Sequence, residues 1–429
     1  MINVRIEIDG EVTMEYGLIG EHLSHSFSKM IHEKITPCNY DLKELAPQEV
    51  GPFLRAKEFK GINVTIPYTQ TVIPYLEEIS SLARRIGAVN TIVNKNGKLC
   101  GYNTDYYGMK ALIERLGIDP AGKKILILGA GGCSRTARTV VTELGAAEVY
   151  IASPAGENGQ EAAVSFEEAY DKHTDAEIII NTTPCGMYPD IDDCPIDISG
   201  FHRLCGVIDV VSNPLRTVLV LEAQKRGIPA EGGLYMLAVQ AVRAAEIFTG
   251  TKIDSERTEQ IFVDFLNSRR NIVLTGMSLA GKTTLGTLLS ERLGRPLEDT
   301  DQMIIRREQR TITEIFAVDG EEYFRDRETE MARILAPQNG LVIATGGGLI
   351  LRPENVDALK KNGCIIFLDR PFDQILPADD RPLANTREKV AALLKVRYPI
   401  YKSVCDESVT NDLTPEEGIT RILNALQHA

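Results

Sequence analysis

Short apolar runs, most of which end at glycine, recur along this 429-residue chain and constrain its fold more than any other feature. They read KKILILGAGG at 123, EIIINTTPCGM at 177, NIVLTGMSLAGKTT at 271, LVIATGGG at 341 and CIIFLD at 364. Strands that are buried on both faces have this composition, and the helical stretches between the runs indicate parallel sheets. The sequence therefore predicts an α/β fold.

Length and composition predict two or three folded units, with 43% hydrophobic and 25% charged residues as in ordinary globular proteins. No run approaches the roughly 18 to 20 apolar residues of a membrane span, and the alternating start MINVRIEIDG does not have the pattern of an export signal. Eight cysteines without metal-ligand spacing predict reduced thiols in a cytoplasm. The net charge of -13 disfavours nucleic-acid and membrane-surface partners, since both are polyanions. The oligomeric state stays open.

The stretch GMSLAGKTT fits the pattern GxxxxGK[ST] and lies between the strand-like NIVLT and the helical TLGTLLSERLG. In this context Gly276 and Gly281 let backbone N–H groups wrap phosphates, and Lys282 reaches the β and γ oxygens. Thr283 offers its hydroxyl to Mg²⁺. These residues predict phosphoryl transfer from MgATP.

Two carboxylates follow in EDTD, and their spacing would place them on one side if they end a strand. Asp299 is suited to the metal and Asp301 to an acceptor hydroxyl. The motifs GKTT, DTD, IFAVDGEEYFRDRE, TGGG, RPL and RYPIY then follow in the order and near the spacing of shikimate kinase. The second part of the chain, from Asn271 to Leu426, therefore resembles that family.

The kinase resemblance implies roles for individual residues. Asp301 would orient the acceptor hydroxyl, while Arg325 and Arg397 would grip the substrate carboxylate, a task that suits a planar fork. The implied nucleotide site consists of Gly276, Ala280, Gly281, Lys282, Thr283 and Thr284, and the implied metal ligands are Thr283 and Asp299. Gly347, within Gly346–Gly348, would line the ring of the substrate, and Glu328 would orient Arg325. Arg381 would be the lid arginine over the transferring phosphate. Two departures are Leu279 at a usual P-loop glycine and the short lid ILPADDRPLANT.

The first part of the chain carries a second series of motifs: GLIGEHLSHSFSKMIHE, GINVTIPYT, GAVNTIV, GYNTDYYG, LGAGGCSR, NTTPCGMYP, DVVSNP and GGLYMLAVQA. They follow one another as in shikimate dehydrogenase, from about Tyr16 to Gly250. The resemblance implies an α/β substrate-binding domain at 1–105 that is completed by 235–265, and a Rossmann-like dinucleotide-binding domain at 106–234. With the kinase domain at 270–429, the chain is expected to join two enzymes without a flexible linker.

Small polar residues form the implied substrate site, as a polyhydroxylated ring requires. By resemblance, Ser26 and Ser28 bind the shikimate carboxylate, and Thr65, Asn90, Asp105 and Gln240 contact the ring hydroxyls. The implied cofactor site is Gly129, Ala130, Gly131, Gly132, Cys133 and Gly233. The family implies NADP(H), while NAD(H) or no cofactor stays open.

Oxidation of an alcohol sends a hydride to the nicotinamide and a proton to a base. In the family the loop NVTxPxK supplies a lysine for the proton, but in GINVTIPYTQ the lysine position is Thr69, and Tyr68 is the only ionisable residue. Asp105 remains as a base, and Lys29 is an alternative that would have to reach in. Ser153 and Pro154 also replace the usual acid or the motif NRT, and Ser212 replaces a substrate-contacting tyrosine.

Two hypotheses follow. The first is a bifunctional enzyme that reduces 3-dehydroshikimate and then phosphorylates shikimate. The second is an active shikimate kinase that carries a degenerate dehydrogenase-like domain, which binds shikimate, regulates or acts as a scaffold. A kinase for another small polyol is disfavoured, since Arg325 and Arg397 imply a carboxylate on the acceptor. Preference for quinate over shikimate and transfer of intermediate between the sites stay open.

Overall fold

A computed structural model describes residues 14–23, 26–154, 163–377 and 383–427. The alternating pattern expected at residues 1–10 lies outside these ranges. The chain divides into two compact units. One contains the residues up to Asn213 together with Thr217–Phe265, and the other contains Pro214–Arg216 together with the residues from Leu266 onward.

The first sheet has six strands in the order β2-β1-β3-β5-β6-β4. Its elements, with the helices between them, are β1 (Met14–Gly20), α1 (Ser28–Ile35), β2 (Tyr40–Glu44), α2 (Pro47–Ala56), β3 (Phe59–Val64), β4 (Glu78–Ile79), α3 (Ser81–Ile86), β5 (Thr91–Lys95), β6 (Lys98–Tyr102) and α4 (Asp105–Arg115). β1 pairs in parallel with β2 and β3, whereas β5 runs antiparallel to β3 and β6. Asn96 and Gly97 both have positive φ, as a two-residue turn between antiparallel strands requires.

The second sheet also has six strands, all parallel, in the order β12-β11-β10-β7-β8-β9. Its elements are β7 (Lys124–Leu128), α5 (Gly132–Glu143), β8 (Glu148–Ala152), β9 (Ala163–Val164), α6 (Phe166–Lys172), β10 (Ile178–Asn181), β11 (Gly206–Asp209), α7 (Val218–Lys225) and β12 (Ala230–Glu231). The strand order reverses between β7 and β10. In open α/β sheets, ligands bind beyond the carboxyl ends of the strands at such a reversal.

Two helices follow, α8 (Leu234–Thr249) and α9 (Ser255–Arg269). α8 packs against α1 and α4 and against strands β3 and β5 of the first sheet. Gly61 on β3 makes this packing possible, because a Cβ there would lie 2.5 Å from the Phe248 ring. By its packing, α8 therefore belongs to the sheet of the first 105 residues.

The third sheet has five strands, all parallel, in the order β14-β15-β13-β16-β17. Its elements are β13 (Asn271–Thr275), α10 (Lys282–Leu293), β14 (Leu297–Asp299), α11 (Thr300–Glu308), α12 (Ile312–Val318), α13 (Gly320–Leu335), β15 (Val342–Ala344), α14 (Pro353–Lys360), β16 (Gly363–Asp369), α15 (Arg387–Val404), β17 (Glu407–Thr410) and α16 (Pro415–Ala425). Only Arg270 lies between α9 and β13, so the joint is short.

The five apolar runs of the sequence supply buried strands β7, β10, β13, β15 and β16, whose side chains are almost wholly excluded from solvent. Their burial on both faces explains why they lack the alternation of a half-exposed strand. The predicted α/β fold is confirmed. None of the helices in the described ranges has the length and apolar character that crossing a membrane requires.

Candidate active sites

The P-loop follows the central strand β13. A Cβ on Gly276 would lie 2.8 Å from Leu368 O, and one on Gly281 would lie 2.9 Å from Asn411 Nδ2. Both glycines also have positive φ, at 146° and 90°. Since α10 begins directly after Gly281 and no side chain caps it, its first N–H groups face the loop. The loop therefore fits a chain of phosphates.

Lys282 is buried in this loop and donates hydrogen bonds from Nζ to Gly276 O at 2.9 Å and to Met277 O at 2.7 Å. Of the other predicted nucleotide ligands, Ala280 is buried and Thr284 is exposed on the first turn of α10. The ammonium group thus lies inside the curve of the P-loop, where the β and γ phosphates of a nucleotide bind.

The two predicted metal ligands lie side by side. Thr283 Oγ1 donates to Asp299 Oδ2 at 2.8 Å, and Asp299 Oδ1 caps α11 by accepting from Gln302 N at 3.1 Å. In the part of the chain that the structure describes, no group of three or more His, Cys, Asp or Glu is arranged around a metal. A magnesium ion here would therefore complete its shell with phosphate and water oxygens, as Mg²⁺ usually does beside nucleotides.

A cavity beside the P-loop contains most of the residues predicted to bind the acceptor. It is lined, among others, by Asp301, Phe316, Arg325, Glu328, Gly347 and Arg397. Both guanidinium groups are buried, at 7% exposure for Arg325 and 5% for Arg397. Two buried cations in one small cavity are suited to an anionic ligand.

The glycine run after β15 forms the floor of this cavity. A Cβ on Gly346 would lie 2.6 Å from both Asp301 Oδ1 and Glu328 Oε1, and one on Gly348 would overlap the Arg325 guanidinium. A Cβ on Gly347 would lie 3.5 Å from Arg397 Nη1. Gly346 and Gly348 therefore leave room for charged side chains, whereas the atoms nearest to a Cβ on Gly347 belong to Ser278, at 3.3 Å.

Glu328 is the acidic partner of Arg325 in the cavity. The two form an ion pair, and Arg325 also pairs with Glu321 at 2.8 Å. Burial raises the pKa of Glu328 to about 7, against the opposing effect of Arg325. Glu328 Oε1 has no hydrogen-bond partner among the described residues. The expected lid arginine, Arg381, lies outside the described residues, although Leu383 and Ala384 after it line the cavity.

In the first unit, the predicted carboxylate ligands lie at the start of α1. Ser28 is its first residue, and Ser28 N donates to Ser26 Oγ at 3.2 Å. Lys29 pairs with Glu33 at 3.4 Å on the exposed side of the helix, so the structure does not bring Lys29 into the site. Thr65 lies after β3, where its methyl group would be 2.7 Å from a Cβ on Gly20.

Three predicted ring-hydroxyl ligands share a buried hydrogen-bond network. Asn90 accepts from Thr104 N at 2.7 Å and donates to Thr104 Oγ1 at 3.0 Å, while Thr104 Oγ1 donates to Gln240 Oε1 at 3.2 Å. Asn90 also hydrogen-bonds Asp105. The structure therefore brings Asn90, Asp105 and Gln240 together through Thr104, a residue that the sequence analysis missed although it directly precedes Asp105.

The network continues into the core behind Asn90. Thr91 Oγ1 donates to Asn90 Oδ1 at 3.1 Å, Asn63 Nδ2 donates to Thr91 Oγ1 at 3.0 Å, and the Tyr40 hydroxyl donates to Asn63 Oδ1 at 2.8 Å. Asn63 and Thr91 lie within the motifs GINVTIPYT and GAVNTIV, so their place in these motifs was the available signal, whereas Tyr40 lies in none of the motifs. They hold the Asn90 amide in one orientation.

Asp105 is the first residue of α4. Burial raises the pKa of its carboxyl to about 6, and the hydrogen bond from Asn90 acts in the opposite direction. Among the described residues no lysine or arginine appears as an ion-pair partner that would lower it. The carboxylate is therefore ionised at neutral pH but close to its titration point, as a general base requires.

Tyr68 and Thr69, in the loop that carries a lysine in the family, have side chains that point in different directions. Tyr68 is 1% exposed, and its hydroxyl donates to Leu45 O at 2.5 Å, so it belongs to the core. Thr69 O accepts from Val89 N at 2.8 Å. The Thr69 hydroxyl faces the start of α5, where a Cβ on Gly132 would overlap Thr69 Oγ1.

The turn between β7 and α5 fits a dinucleotide diphosphate. Gly129 has φ of 102°, and a Cβ there would lie 2.9 Å from Thr182 Oγ1. A Cβ on Gly131 would meet nothing within 4 Å, and no side chain caps α5. An open turn that ends at an uncapped helix start is the usual cradle for this group.

The remaining predicted cofactor ligands surround that turn. Ala130 and Cys133 are partly buried, and burial raises the pKa of the Cys133 thiol. A Cβ on Gly233 would overlap Val210 O, so only glycine fits there. Ser153 is buried, and its backbone N–H donates a hydrogen bond to Val164 O at 3.0 Å.

Asp209 is a further polar residue that the sequence analysis missed. It is fully buried at the end of β11 and accepts from Asn181 Nδ2 at 3.0 Å and from Thr217 Oγ1 at 2.7 Å. Burial raises its pKa to about 6. The motif DVVSNP begins with this residue, so its position in the motif was the available signal. It fixes the segment that carries the partly buried Ser212.

Comparisons with known proteins match both parts of the chain. The family model described as shikimate dehydrogenase substrate binding domain matches residues 18–92, and the one described as shikimate kinase matches residues 278–427. Shikimate dehydrogenase (NADP(+)) of Clostridium perfringens is 36% identical over 261 residues, which are 58% of this chain and 96% of that protein.

Solved structures agree for the first part. Shikimate dehydrogenase 1 of Peptoclostridium difficile is 33% identical with a TM-score of 0.55, over 58% of this chain and 97% of its own. A chorismate mutase/shikimate 5-dehydrogenase fusion protein from Clostridium acetobutylicum is 33% identical with a TM-score of 0.54, over 59% of this chain and 97% of its own.

The folds and sites define an enzyme that combines a dinucleotide-binding dehydrogenase fold with a P-loop kinase fold. The chain belongs to the shikimate dehydrogenase family over its first part, and its second part matches the family model of shikimate kinase. The predicted fusion of these two families is confirmed.

Proposed function

We propose that the kinase domain phosphorylates shikimate to shikimate 3-phosphate with MgATP. The observation that carries this proposal is the convergence of Asp301 and two buried arginines, Arg325 and Arg397, in a single cavity beside the P-loop, where Glu328 pairs with Arg325. An acceptor with a carboxylate and a nearby hydroxyl matches this arrangement of charges.

MgATP supplies the phosphoryl group in this reaction. Arg325 and Arg397 hold the acceptor carboxylate, since a guanidinium fork matches a carboxylate with two hydrogen bonds. Asp301 accepts a hydrogen bond from the reacting hydroxyl, orients its oxygen and takes its proton. Lys282 places a positive charge inside the P-loop, where negative charge accumulates during transfer.

We propose further that the first part interconverts 3-dehydroshikimate and shikimate with NADP(H). Ser26 and Ser28 at the start of α1 would bind the carboxylate, and Asn90 and Gln240 would hold ring hydroxyls. The two reactions are consecutive, because the alcohol formed in the first is the acceptor in the second.

Asp105 serves as the base of the dehydrogenase in this proposal. A bound dinucleotide would supply or accept the hydride, while Asp105 would take the hydroxyl proton during oxidation or return it during reduction. With a pKa of about 6, it is ionised at neutral pH without the help of a lysine. Asn90 orients the carboxylate through its hydrogen bond.

A second candidate function is a dehydrogenase-like domain without turnover, which binds shikimate beside an active kinase. The observation that favours it is Thr69, whose hydroxyl faces Gly132 and cannot carry a proton as an ammonium group does. Ser153 and Ser212, at a cofactor and a substrate position of the family, point the same way.

Turnover separates the two candidates. Shikimate oxidation with NADP⁺ and NAD⁺ is measured on the full chain, on Thr69→Lys and on Thr71→Lys, which adds the same charge at an exposed position of the loop. Kinase turnover is recorded on the same samples. A rate of about 1 per second or more for the unmodified chain supports Asp105 as sufficient base. If the unmodified chain shows no turnover and only Thr69→Lys restores it, the second candidate is supported.

A further inference from the structure

The Thr69 side chain has a fixed direction at the mouth of the dinucleotide site. Its backbone carbonyl is held by Val89 N at 2.8 Å, and its β-branched side chain restricts χ1. Thr69 Oγ1 is the atom closest to a Cβ built on Gly132, whereas Ala88 Cβ is 3.5 Å away from that position. The hydroxyl therefore lies against the first residue of α5.

The turn that precedes Gly132 is open. A Cβ on Gly131, the residue before, would meet no atom within 4 Å. The start of α5 has no side-chain cap, and Thr69 Oγ1 makes no hydrogen bond among the described residues. A donor without a partner thus stands beside the turn that the first unit offers to a diphosphate.

We infer that Thr69 is a ligand of the dinucleotide, and that its hydroxyl donates a hydrogen bond to a diphosphate oxygen seated on the Gly131–Gly132 turn. This inference rests on the proposed binding of a dinucleotide by the first unit. The position that carries a proton in related dehydrogenases then holds the cofactor in this chain. A hydroxyl is suited to that contact, because a phosphate accepts hydrogen bonds from neutral donors as well as from cations.

Binding measurements on the full chain test the inference without reference to turnover. NADPH and NADH are titrated by the change in their own fluorescence, and the tighter ligand is used thereafter. ADP-ribose, which has the diphosphate but no nicotinamide, is measured by its displacement of the reduced dinucleotide, so that only the dinucleotide site is observed. Shikimate is titrated by calorimetry, where the kinase domain contributes equally in every variant.

Three variants are compared with the unmodified chain. Thr69→Val keeps the shape and removes the donor, Thr69→Ser keeps the donor, and Thr71→Val makes the same change at an exposed residue of the same loop. Thr69→Val should weaken both the reduced dinucleotide and ADP-ribose by about 10-fold, since a hydrogen bond to a charged group is lost. The other two variants should stay within about threefold, with shikimate binding unchanged throughout.

Four results would overturn the inference. If Thr69→Val binds the dinucleotide as the unmodified chain does, the proposed contact does not exist. If Thr69→Val instead weakens shikimate binding, the hydroxyl contacts the substrate. A loss confined to the reduced dinucleotide assigns it to the nicotinamide half. Absence of dinucleotide binding by the unmodified chain removes the inference together with the dehydrogenase part of the proposed function. A chain that binds as expected but does not turn over leaves the inference in place.

Discussion

At the scale of single residues, Glu328 is a buried and Asp105 a partly buried residue, and desolvation raises the pKa of Asp105 to about 6 and that of Glu328 to about 7. Neither value follows from the local sequence. Asp105 lacks the lysine that the motif of its family provides, and Glu328 lies three residues after Arg325 on α13. Burial decides the titration of both, because it penalises the charged form more than the nearby partners favour it.

Replacement of Asp105 by asparagine should lower dehydrogenase turnover by at least about 100-fold, since the base is lost. For the unmodified chain, kcat/KM for shikimate oxidation should rise with pH through about 6 and then level off. The measurement is a pH–rate profile with NADP⁺. A profile that rises only near the pKa of a lysine would contradict the assignment.

Stability gives an independent readout of the same carboxyl. Folding raises the pKa of Asp105 from 3.8, so its contribution to stability is complete below that pH and is lost as pH rises through about 6. At pH 8 Asp105→Asn should therefore be more stable by about 1 to 3 kcal/mol, and the gain should shrink towards pH 5. Urea unfolding of the first unit at pH 8 and at pH 5 measures the difference in free energy of unfolding between the variant and the unmodified chain. A destabilised variant at pH 8 would show that the charge is compensated.

Glu328 predicts a pH dependence of the kinase. In the proposed kinase reaction the acceptor carboxylate would bind beside Glu328, so the protonated form of Glu328, present below about pH 7, should favour binding. The KM for shikimate should rise about 2- to 5-fold between pH 6 and pH 8, and Glu328→Gln should abolish the rise. Glu321→Gln is the matched control, because Glu321 also pairs with Arg325 but is exposed. A rise that persists in Glu328→Gln would assign it to another group.

At the scale of elements, two of the three glycines after β15 are required by charged neighbours. Gly346 leaves space for Asp301 and Glu328, and Gly348 leaves space for Arg325, whereas a Cβ on Gly347 would meet Ser278 at 3.3 Å. The sequence predicted that this run lines the substrate. The reason for glycine at Gly346 and Gly348 became visible only when α11 and α13 were placed around the turn.

Gly346→Ala tests that reason. The added methyl would lie 2.6 Å from two carboxylate oxygens, so the carboxylates must shift. We expect kcat/KM for shikimate to fall by at least about 10-fold, while ATP affinity stays within about twofold. Gly200→Ala is a neutral control, since its Cβ would be 3.8 Å from the nearest atom. Full activity of Gly346→Ala would show that Asp301 and Glu328 can shift to accommodate the methyl group without loss of activity.

At the scale of the whole molecule, each candidate site is built within one compact unit. The predicted dehydrogenase ligands, from Ser26 to Gln240, belong to the first unit, and the predicted kinase ligands, from Gly276 to Arg397, belong to the second. Neither site borrows a predicted ligand from the other unit. The two activities should therefore be separable by single substitutions.

Lys282→Ala should abolish kinase turnover and leave dinucleotide binding and shikimate oxidation within about twofold of the unmodified chain, since it removes the P-loop cation alone. Asp105→Asn should lower shikimate oxidation and leave kinase turnover within about twofold of the unmodified chain. Both activities are measured on each variant at the same protein concentration. A change of more than about fivefold in the activity of the other unit would reveal coupling between the two.

The sequence by itself determined the fold class, the P-loop motif and the resemblance to the pair of families, and it predicted sets of candidate ligands. These depend on contiguous motifs, in which hydrophobic periodicity, glycine and spacing act within a few residues. Ser26 with Ser28, and Thr283 with Asp299, were predicted as pairs, and the structure places the members of each pair within hydrogen-bond distance.

Only the tertiary structure decided which way side chains face and how strongly they are buried. Tyr68 belongs to the core, Thr69 faces Gly132, and Lys29 stays on the surface beside Glu33. The Tyr40–Asn63–Thr91 hydrogen bonds behind Asn90 join segments distant in the chain. Side-chain direction and desolvation depend on neighbours that packing brings from elsewhere, so no local pattern in the sequence contains them.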